Sequence, residues 1–438
     1  MSFVRRLSLV ISLGVPGFPA SILAHPAWRI EPRQQLVPTS PQSVIFETDN
    51  HWVLREAAAE PEDFQSLFAV NITGTDLSSE TLSTFGEVME LVPHSLAIMK
   101  LRSEVASEEL SGLLHERGMA CGTLFRLYGD AAQFKGPAPV APLHATKERL
   151  PQVEEAMGKV KPELIRATVE TLSSIYSRHH GSDEGQTMAL LMGDKYRSLG
   201  NGRADMAVGT FDHGSATRQA SLIVRLEGTT RPDEIVVLGS HIDSIAFWGG
   251  RAPGADDNAS GTATNLEVLR VILESGMRFE RTIEIHGYAA EEIGLVGSQD
   301  MARRYRRDGK KVMAMMQFDM NLYRGKESDK IWFVTNGTSG SLNQGLGELT
   351  DLYVHIPWGQ GNLSSGSSDH ASWQRQGFPA AFPFERPDAH NPHIHTARDT
   401  IENSGSFTQA AAFAKLGVAY VAHYAGLESD PSSPLQSR

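Results

Sequence analysis

Three apolar runs in this chain each end on an acid or an imidazole. "IVVLGSHIDS" ends on His241 and Asp243, "IEIHGYAAEEIG" on Glu291 and Glu292, and "MMQFDMN" on Asp319. A charge carried into an apolar setting is costly unless a partner meets it. Two other stretches add to the set: "PGADDNASG", with Asp256 beside Asp257, and "NPHIHTARDT", with His393 and His395. Adjacent aspartates repel, and a helix start needs only one capping residue. Something positive is therefore expected at Asp256 and Asp257. Taken singly, each element has an ordinary reading: HxD as a turn, DD as a cap, EE as a solvated pair. Together, in this order and at strand ends, they are far more specific.

The set holds His, Asp and Glu and no Cys. Nitrogen and carboxylate donors without thiolate suit zinc, cobalt or manganese. Two histidines and at least three carboxylates exceed what one zinc needs. Shared by two ions they fit: one carboxylate bridges, and each ion takes one histidine and one further carboxylate, with a water between. Two metals about 3.5–4 Å apart form a recurrent hydrolytic arrangement. The bridge is then Asp256 or Asp257. Neighbouring side chains on an extended segment point opposite ways, so one of Glu291 and Glu292 can bind metal while the other faces the water as general base. Asp243, two residues after His241, lies on the same strand face and can accept the far ring N–H, fixing the tautomer.

The elements that must position these groups follow from periodicity. After about residue 150, apolar β-type runs ("SLIVRLEG", "EIVVLGSH", "TIEIHGYAA", "VMAMMQFDM", "IWFVTNG") alternate with amphipathic stretches such as "GTATNLEVLRVILESG" and "GSQDMARRYRRDG". Continuous apolar strands between helices predict an α/β domain with a mixed, largely parallel central sheet flanked by helices. Such sheets bind ligands at the carboxyl ends of their strands. Residues 25 to about 140 mix strand and helix patterns without chemistry and end in the Ala- and Pro-rich "AAQFKGPAPVAPLHATKERL", which reads as a linker.

The chain has 438 residues, enough for two domains. It is 40% hydrophobic and 21% charged, as a globular protein is. A formal net charge of -12 argues against nucleic acid or an anionic membrane as partner. Arg5 and Arg6, the apolar run "LSLVISLGV" and the small residues of "PASILAHP" have the order of a secretory signal peptide cleaved after Ala24. The apolar run is short for a membrane span. Cys121 is the single cysteine, so no intrachain disulfide forms, and a large core or bound metal must supply the stability of an exported chain.

The motifs "GSHIDS", "APGADDNASG", "YAAEEIGLVGSQD", "QFDM", "SDHASW", "GFPAAFPFE" and "NPHIHTARDT" resemble those of the secreted di-zinc leucyl aminopeptidases. That family's catalytic fold is shared with glutaminyl cyclases and the transferrin-receptor ectodomain. The likeness runs from about 150 to 425. It implies a zinc-exopeptidase-like fold and two Zn2+ per catalytic domain. It implies that His241 is the first zinc ligand, with Asp243 behind it. Asp257 falls at the bridging aspartate, preceding a cis peptide to Asn258, and Asp256 packs or caps. Glu291 falls at the general base, and Glu292 at a ligand of the first metal. Asp319 and His395 match the remaining ligands. Asp257 then bridges, Glu292 pairs with one ion's histidine and Asp319 with the other's. Met320, Phe384 and Ile394 match the wall of an apolar pocket for a leucine-like N-terminal side chain.

The chain departs from the family pattern at "NLSSGSS", where relatives carry a disulfide. It departs also at Ser365 and His390, where relatives place pocket aromatics. These changes bear on specificity, not on the metal ligands.

Residue patterns and resemblance together divide the chain into a signal peptide (1–24), a smaller α+β propeptide-like domain with linker (25–140), a catalytic metallopeptidase domain (141–427) and a polar tail (428–438). The expected protein is a secreted, monomeric aminopeptidase acting on peptides with a free N-terminus, with no nucleic-acid partner and no membrane association after signal cleavage. Its rivals are a single-zinc glutaminyl cyclase-like enzyme, disfavoured by the presence of His241, and a non-catalytic binding protein of the same fold, disfavoured because no ligand is lost.

Overall fold

A computed structural model describes residues 27–428, apart from 33–43, 48–49, 57–58, 60–63, 65–66, 118–122, 128–147, 248 and 364–366. The signal segment 1–24, Cys121, most of the linker, Ser365 and all of the tail but Glu428 lie outside the described residues.

The central sheet has six strands: β1 (Met206–Phe211), β2 (Ser221–Leu226), β3 (Arg231–His241), β4 (Arg281–Tyr288), β5 (Lys311–Gln317) and β6 (Ala380–Ala381). They lie side by side in the order β6-β5-β3-β4-β2-β1. β6, β5, β3 and β4 run parallel, and β2 and β1 are antiparallel additions on the β4 side. The mixed, largely parallel sheet is therefore present as expected.

Both faces of this sheet are covered, which explains the unbroken apolar runs. Alternate residues of β3 point to opposite layers. Val236 and Leu238 join a core with helices α1 (Pro162–Ser173), α2 (Asp183–Gly200), α3 (Gly261–Glu274) and α5 (Phe407–Tyr424). Ile235 and Val237 join Met301 and Tyr305 of α4 (Val296–Arg307), together with Trp373. The apolar periodicity of "GTATNLEVLRVILESG" and "GSQDMARRYRRDG" thus corresponds to α3 and α4. The "IWFVTNG" run does not join the central sheet. Ile331–Val334 pairs instead with Trp358–Gly361 and Pro383–Phe384 in a separate small sheet.

β3 is where the strand order turns. The chain leaves β3 through α3 to β4 on one side, then returns as β5 on the other. Crevices at such switch points receive ligands in open α/β sheets. The register aligns the strand ends there: Gly239 pairs with His286 and with Gln317, so His241, Tyr288 and Asp319 fall at one level.

The N-terminal part is smaller and of α+β type. One three-stranded antiparallel sheet combines Trp28–Pro32, Val44–Glu47 and His51–Arg55. A four-stranded antiparallel sheet combines Leu67–Asn71, Gly86–Val92, Leu96–Leu101 and Leu124–Arg126, with a helix at Glu104–Glu116. Leu295 and Ala371 of the larger domain are buried in the same apolar cluster as Trp28, Ile98 and Phe125. The Arg375 guanidinium lies 3.6 Å from the centroid of the Phe125 ring. Among the described residues no helix is long and apolar enough to cross a membrane.

Candidate metal centre

The sequence-predicted ligands converge at the carboxyl end of β3. His241, Asp257, Glu292, Asp319 and His395 are all buried. One oxygen of Asp257 lies 3.0 Å from Nε2 of His241, and the other lies 2.8 Å from Nε2 of His395. Asp319 adds an oxygen 3.4 Å from His241 Nε2, and Glu292 one 3.0 Å from His395 Nε2. Two donor groups result, His241–Asp257–Asp319 and Asp257–Glu292–His395, and Asp257 belongs to both. Ligand atoms about 2.0–2.1 Å from a tetrahedral zinc stand roughly 3.3 Å from each other, so these spacings fit zinc. His393, the other member of the HxH pair, is in neither group.

Several polar atoms at the site also go without a hydrogen bond. Both ring nitrogens of His241, one oxygen of Asp257, one of Asp319 and both of Glu291 are buried without a hydrogen bond. Buried polar atoms are normally satisfied, and a buried cluster of carboxylates without a cation would be unstable. Electrostatics point the same way. Burial opposes the charge of His395, but Glu292 and Asp257 outweigh it and push the imidazole up to about 10. Burial raises Glu291 well above the carboxylate range, with Asp369, Glu292 and Asp319 adding to the shift against His241. Glu291 sits 3.9 Å from His241 Nε2 yet is in neither donor group, and it is fully enclosed.

The two acidic pairs are held by the same device. The Asp243 carboxylate receives the backbone N–H of Glu291 on one oxygen (3.1 Å) and of Glu292 on the other (3.2 Å). The Asp399 carboxylate receives the N–H of Asp256 (3.1 Å) and of Asp257 (3.0 Å) in the same way. Asp243 also lies 3.3 Å from Nδ1 of His241. Asp256 does not cap α3. Its oxygens accept from the Leu322 N–H (2.9 Å) and from Asn391 Nδ2 (3.0 Å), tying two loops to the site. Helix α3 begins only at Gly261, after the turn Ala255–Ser260, and the Asp257–Asn258 peptide is cis. A Cβ at Gly261 would strike the Phe318 carbonyl, so only glycine lets the helix start this close to the segment after β5 that carries Asp319.

Three contributors have no signal that sets them apart in the sequence. Asp399 lies inside the "HTARDT" motif, where spacing alone gives it no role. Ser368 donates to Asp319 at 2.7 Å. Arg178 is a buried cation behind the acidic cluster. Its guanidinium donates to the carbonyls of Pro253 (2.6 Å), Gly254 (2.9 Å) and Leu172 (3.2 Å). Burial lowers it to about 10 against the pull of Asp399, Asp243, Asp257 and Glu292. Only folding brings a lone Arg of "SRHH" behind "GADD".

Met320, Phe384 and Ile394 share one apolar cluster with Val334, Leu363 and Phe382. Met320 follows Asp319 and Ile394 precedes His395, so the cluster adjoins both donor groups. His390 stands 6.1 Å from the Phe384 ring.

On another side the N-terminal part meets the site. Ser111 donates to the Glu292 carbonyl at 3.2 Å. The helix Glu104–Glu116 and the segments 177–182 and 245–247 border a cavity of about 710 Å³ lined by Leu113, His179, Ile245 and Phe247. The Phe247 N–H donates to the His395 carbonyl at 3.2 Å, and its ring meets the His395 ring edge-on at 4.7 Å.

The chain is similar to known peptidases and aminopeptidases. The family model described as peptidase family M28 matches residues 221–421. A protein of Saccharomyces cerevisiae named probable aminopeptidase is 34% identical over 261 residues, 57% of this chain and 70% of that protein. Leucine aminopeptidase 1 of Arthroderma otae is 36% identical over 290 residues, 62% of this chain and 76% of the relative. Among solved structures, the Legionella pneumophila LapA aminopeptidase superposes with a TM-score of 0.70 at 27% identity, covering 83% of this chain and 99% of LapA. A zinc aminopeptidase of Bacillus subtilis shares the fold, with a TM-score of 0.51 at 16% identity over 63% of this chain and 97% of that one.

Proposed function

The chain belongs to peptidase family M28 and is a metallo-aminopeptidase, and on that premise we propose that it removes apolar, leucine-like N-terminal residues from peptides using two zinc ions. The observation that carries this reading is Asp257, whose two oxygens face two different histidines at 3.0 and 2.8 Å. His241 and Asp319 would hold one ion, His395 and Glu292 the other, with Asp257 between. Bound zinc supplies a Lewis acid for the scissile carbonyl and lowers the pKa of the attacking water.

The chain's own residues do the rest. Glu291, enclosed beside His241, takes the proton of the attacking water and passes it to the leaving amine. Asp243 orients His241 from behind. The carboxylates around the site favour a substrate with a free, positively charged α-amine, which accounts for exopeptidase action. Met320, Phe384 and Ile394, with Val334, Leu363 and Phe382, line the space for the side chain of the residue removed.

Turnover of Leu-p-nitroanilide with and without chelator, alongside zinc per chain, tests the proposal. Chelator-sensitive turnover with two zinc ions per chain supports it. One zinc per chain after dialysis points to the cyclase-like reading, and no chelator-sensitive turnover to a binding protein.

We propose further that the protein is secreted as a monomer, that residues 1–24 are a signal peptide, and that residues 25–140 form a propeptide-like domain ahead of the catalytic domain 141–427. The propeptide-like reading is supported by the placement of the helix Glu104–Glu116 beside Phe247 and Glu292. N-terminal sequencing of the exported protein would locate the cleavage sites. A start near residue 25 on fully active protein would make the N-terminal domain a permanent one.

A further inference from the structure

We infer that Gln219 and Ser221, backed by His213 and Asp300, are positioning residues for the loop that carries Glu291. The inference rests on the aminopeptidase reading above. Four consecutive backbone N–H groups of that loop are held by side chains. Ala289 donates to Ser221 Oγ (3.0 Å) and Ala290 to Gln219 Oε1 (3.0 Å), while Glu291 and Glu292 donate to Asp243. Asp243 comes from the metal-ligand motif. Ser221 begins β2 and Gln219 lies two residues before it, in a stretch without a chemical motif. The antiparallel pairing of Leu222 with Gly287 places Ser221 beside the end of β4, from which the loop departs.

The loop needs this support because its backbone is not self-sustaining. Ala290 has a φ of 50° and Leu295 a φ of 59°, a left-handed conformation uncommon for side-chain-bearing residues. None of its amides at 289–292 enters a strand ladder, since β4 ends at Tyr288. Gln219 and Ser221 are completely buried, so no water replaces them. Gln219 is itself anchored, its Nε2 donating to the Gly185 carbonyl at 2.7 Å.

Ser221 heads a directed chain. Its oxygen accepts from Ala289, which leaves its hydroxyl hydrogen for Nε2 of His213 at 2.7 Å. Nδ1 of His213 then carries the proton donated to Asp300 at 3.0 Å. This tautomer is assigned from the network, and each bond polarises the next. The Ser-His-Asp order is that of a nucleophile, but Ser221 is sealed from solvent and its Oγ is engaged by the loop. Its role is to fix Ala289, and through it Glu291 two residues on.

The test uses full-length protein carrying Gln219→Leu, Gln219→Glu, Ser221→Ala or Asp300→Asn. Three quantities are measured: kcat and KM on Leu-p-nitroanilide, zinc per chain, and amide hydrogen exchange of segment 286–295 in metal-free and zinc-loaded protein. Gln219→Leu and Ser221→Ala should lower kcat by about 10–100-fold, with KM and zinc content unchanged. Asp300→Asn should give a smaller fall in the same direction. Gln219→Glu, neutral in so dry a setting, keeps an acceptor for Ala290 and a donor for Gly185 and should recover most of the activity. Exchange of the 289–292 amides should quicken in Gln219→Leu and Ser221→Ala even without metal. Unchanged kcat or unchanged exchange in folded variants overturns the inference, as does an activity loss that follows zinc loss. If the wild type shows no chelator-sensitive turnover, the aminopeptidase reading fails, and the metal-free exchange comparison still decides the positioning role.

Discussion

Asp399 holds the backbone of Asp257: one carboxylate oxygen receives its N–H at 3.0 Å while the other takes the N–H of Asp256 at 3.1 Å. Asp257 is thereby turned so that its own two oxygens face His241 and His395 on opposite sides. Replacing Asp399 with Ala leaves two buried amides unpaired, each costing about 1–3 kcal/mol. It also removes a carboxylate that favours the charged form of buried Arg178. We expect a lower Tm by calorimetry and weaker zinc retention, with Asp399→Asn intermediate.

Asp257 is shared by both donor groups, so Asp257→Asn should affect both ions. Zinc per chain measured by mass spectrometry should fall to one or fewer, and activity should fall with it. Retention of two zinc ions would remove Asp257 as the bridge.

Glu291 touches neither donor group as a member, and Glu292 belongs to one. Glu291→Gln should therefore lower kcat by about 10²–10⁴-fold while zinc content stays normal. Glu292→Gln should lose zinc. The opposite pattern would mean that the two glutamates have exchanged roles.

Met320 and Phe384 are buried in the apolar cluster beside the donor groups. Truncating Phe384 to Ala should reduce kcat/KM for leucine substrates by about 10–200-fold. Alanine substrates should lose less. Equal losses on both would place the side-chain pocket elsewhere.

Away from the metal centre, Glu284 offers a pH test. Burial raises its pKa, but hydrogen bonds from His286 (3.0 Å), Tyr305 (2.7 Å) and Arg225 (2.8 Å) outweigh this and bring it from 4.5 down to about 2. A carboxyl that holds its proton less tightly when folded stabilises the fold fully above pH 4.5, and that contribution is lost as pH falls toward 2. The contribution is on the order of a few kcal/mol, because each tenfold loss of proton affinity on folding is worth about 1.4 kcal/mol. Acid unfolding followed by circular dichroism should be shallower over that window for Glu284→Gln, which is also less stable at neutral pH.

The sequence carried the donor set and most of the fold. Each strand run from "SLIVRLEG" to "VMAMMQFDM" is a strand of the central sheet, because a sheet covered on both faces writes itself as an unbroken apolar run. His241, Asp243, Glu291, Glu292 and Asp319 were legible because they stand at the ends of those runs. "IWFVTNG" has the same apolar character yet belongs to another sheet. Local pattern reports burial, not the neighbour a strand pairs with.

Chain chemistry by itself thus determined which residue types could bind metal, and in what order they follow strands, since strand ends and charge are local properties. Spacing left Asp256 against Asp257 and His393 against His395 open; the family resemblance favoured Asp257 and His395, and the tertiary structure sets those two 2.8 Å apart. Only the tertiary structure decided that Asp399, Arg178, Gln219 and Ser221 stand behind the acidic loops. Those choices depend on hydrogen bonds between segments as much as 143 residues apart, such as Asp256 with Asp399. A carboxylate's partner across such a distance is set by how sheet and loops pack, and no spacing along the chain encodes it.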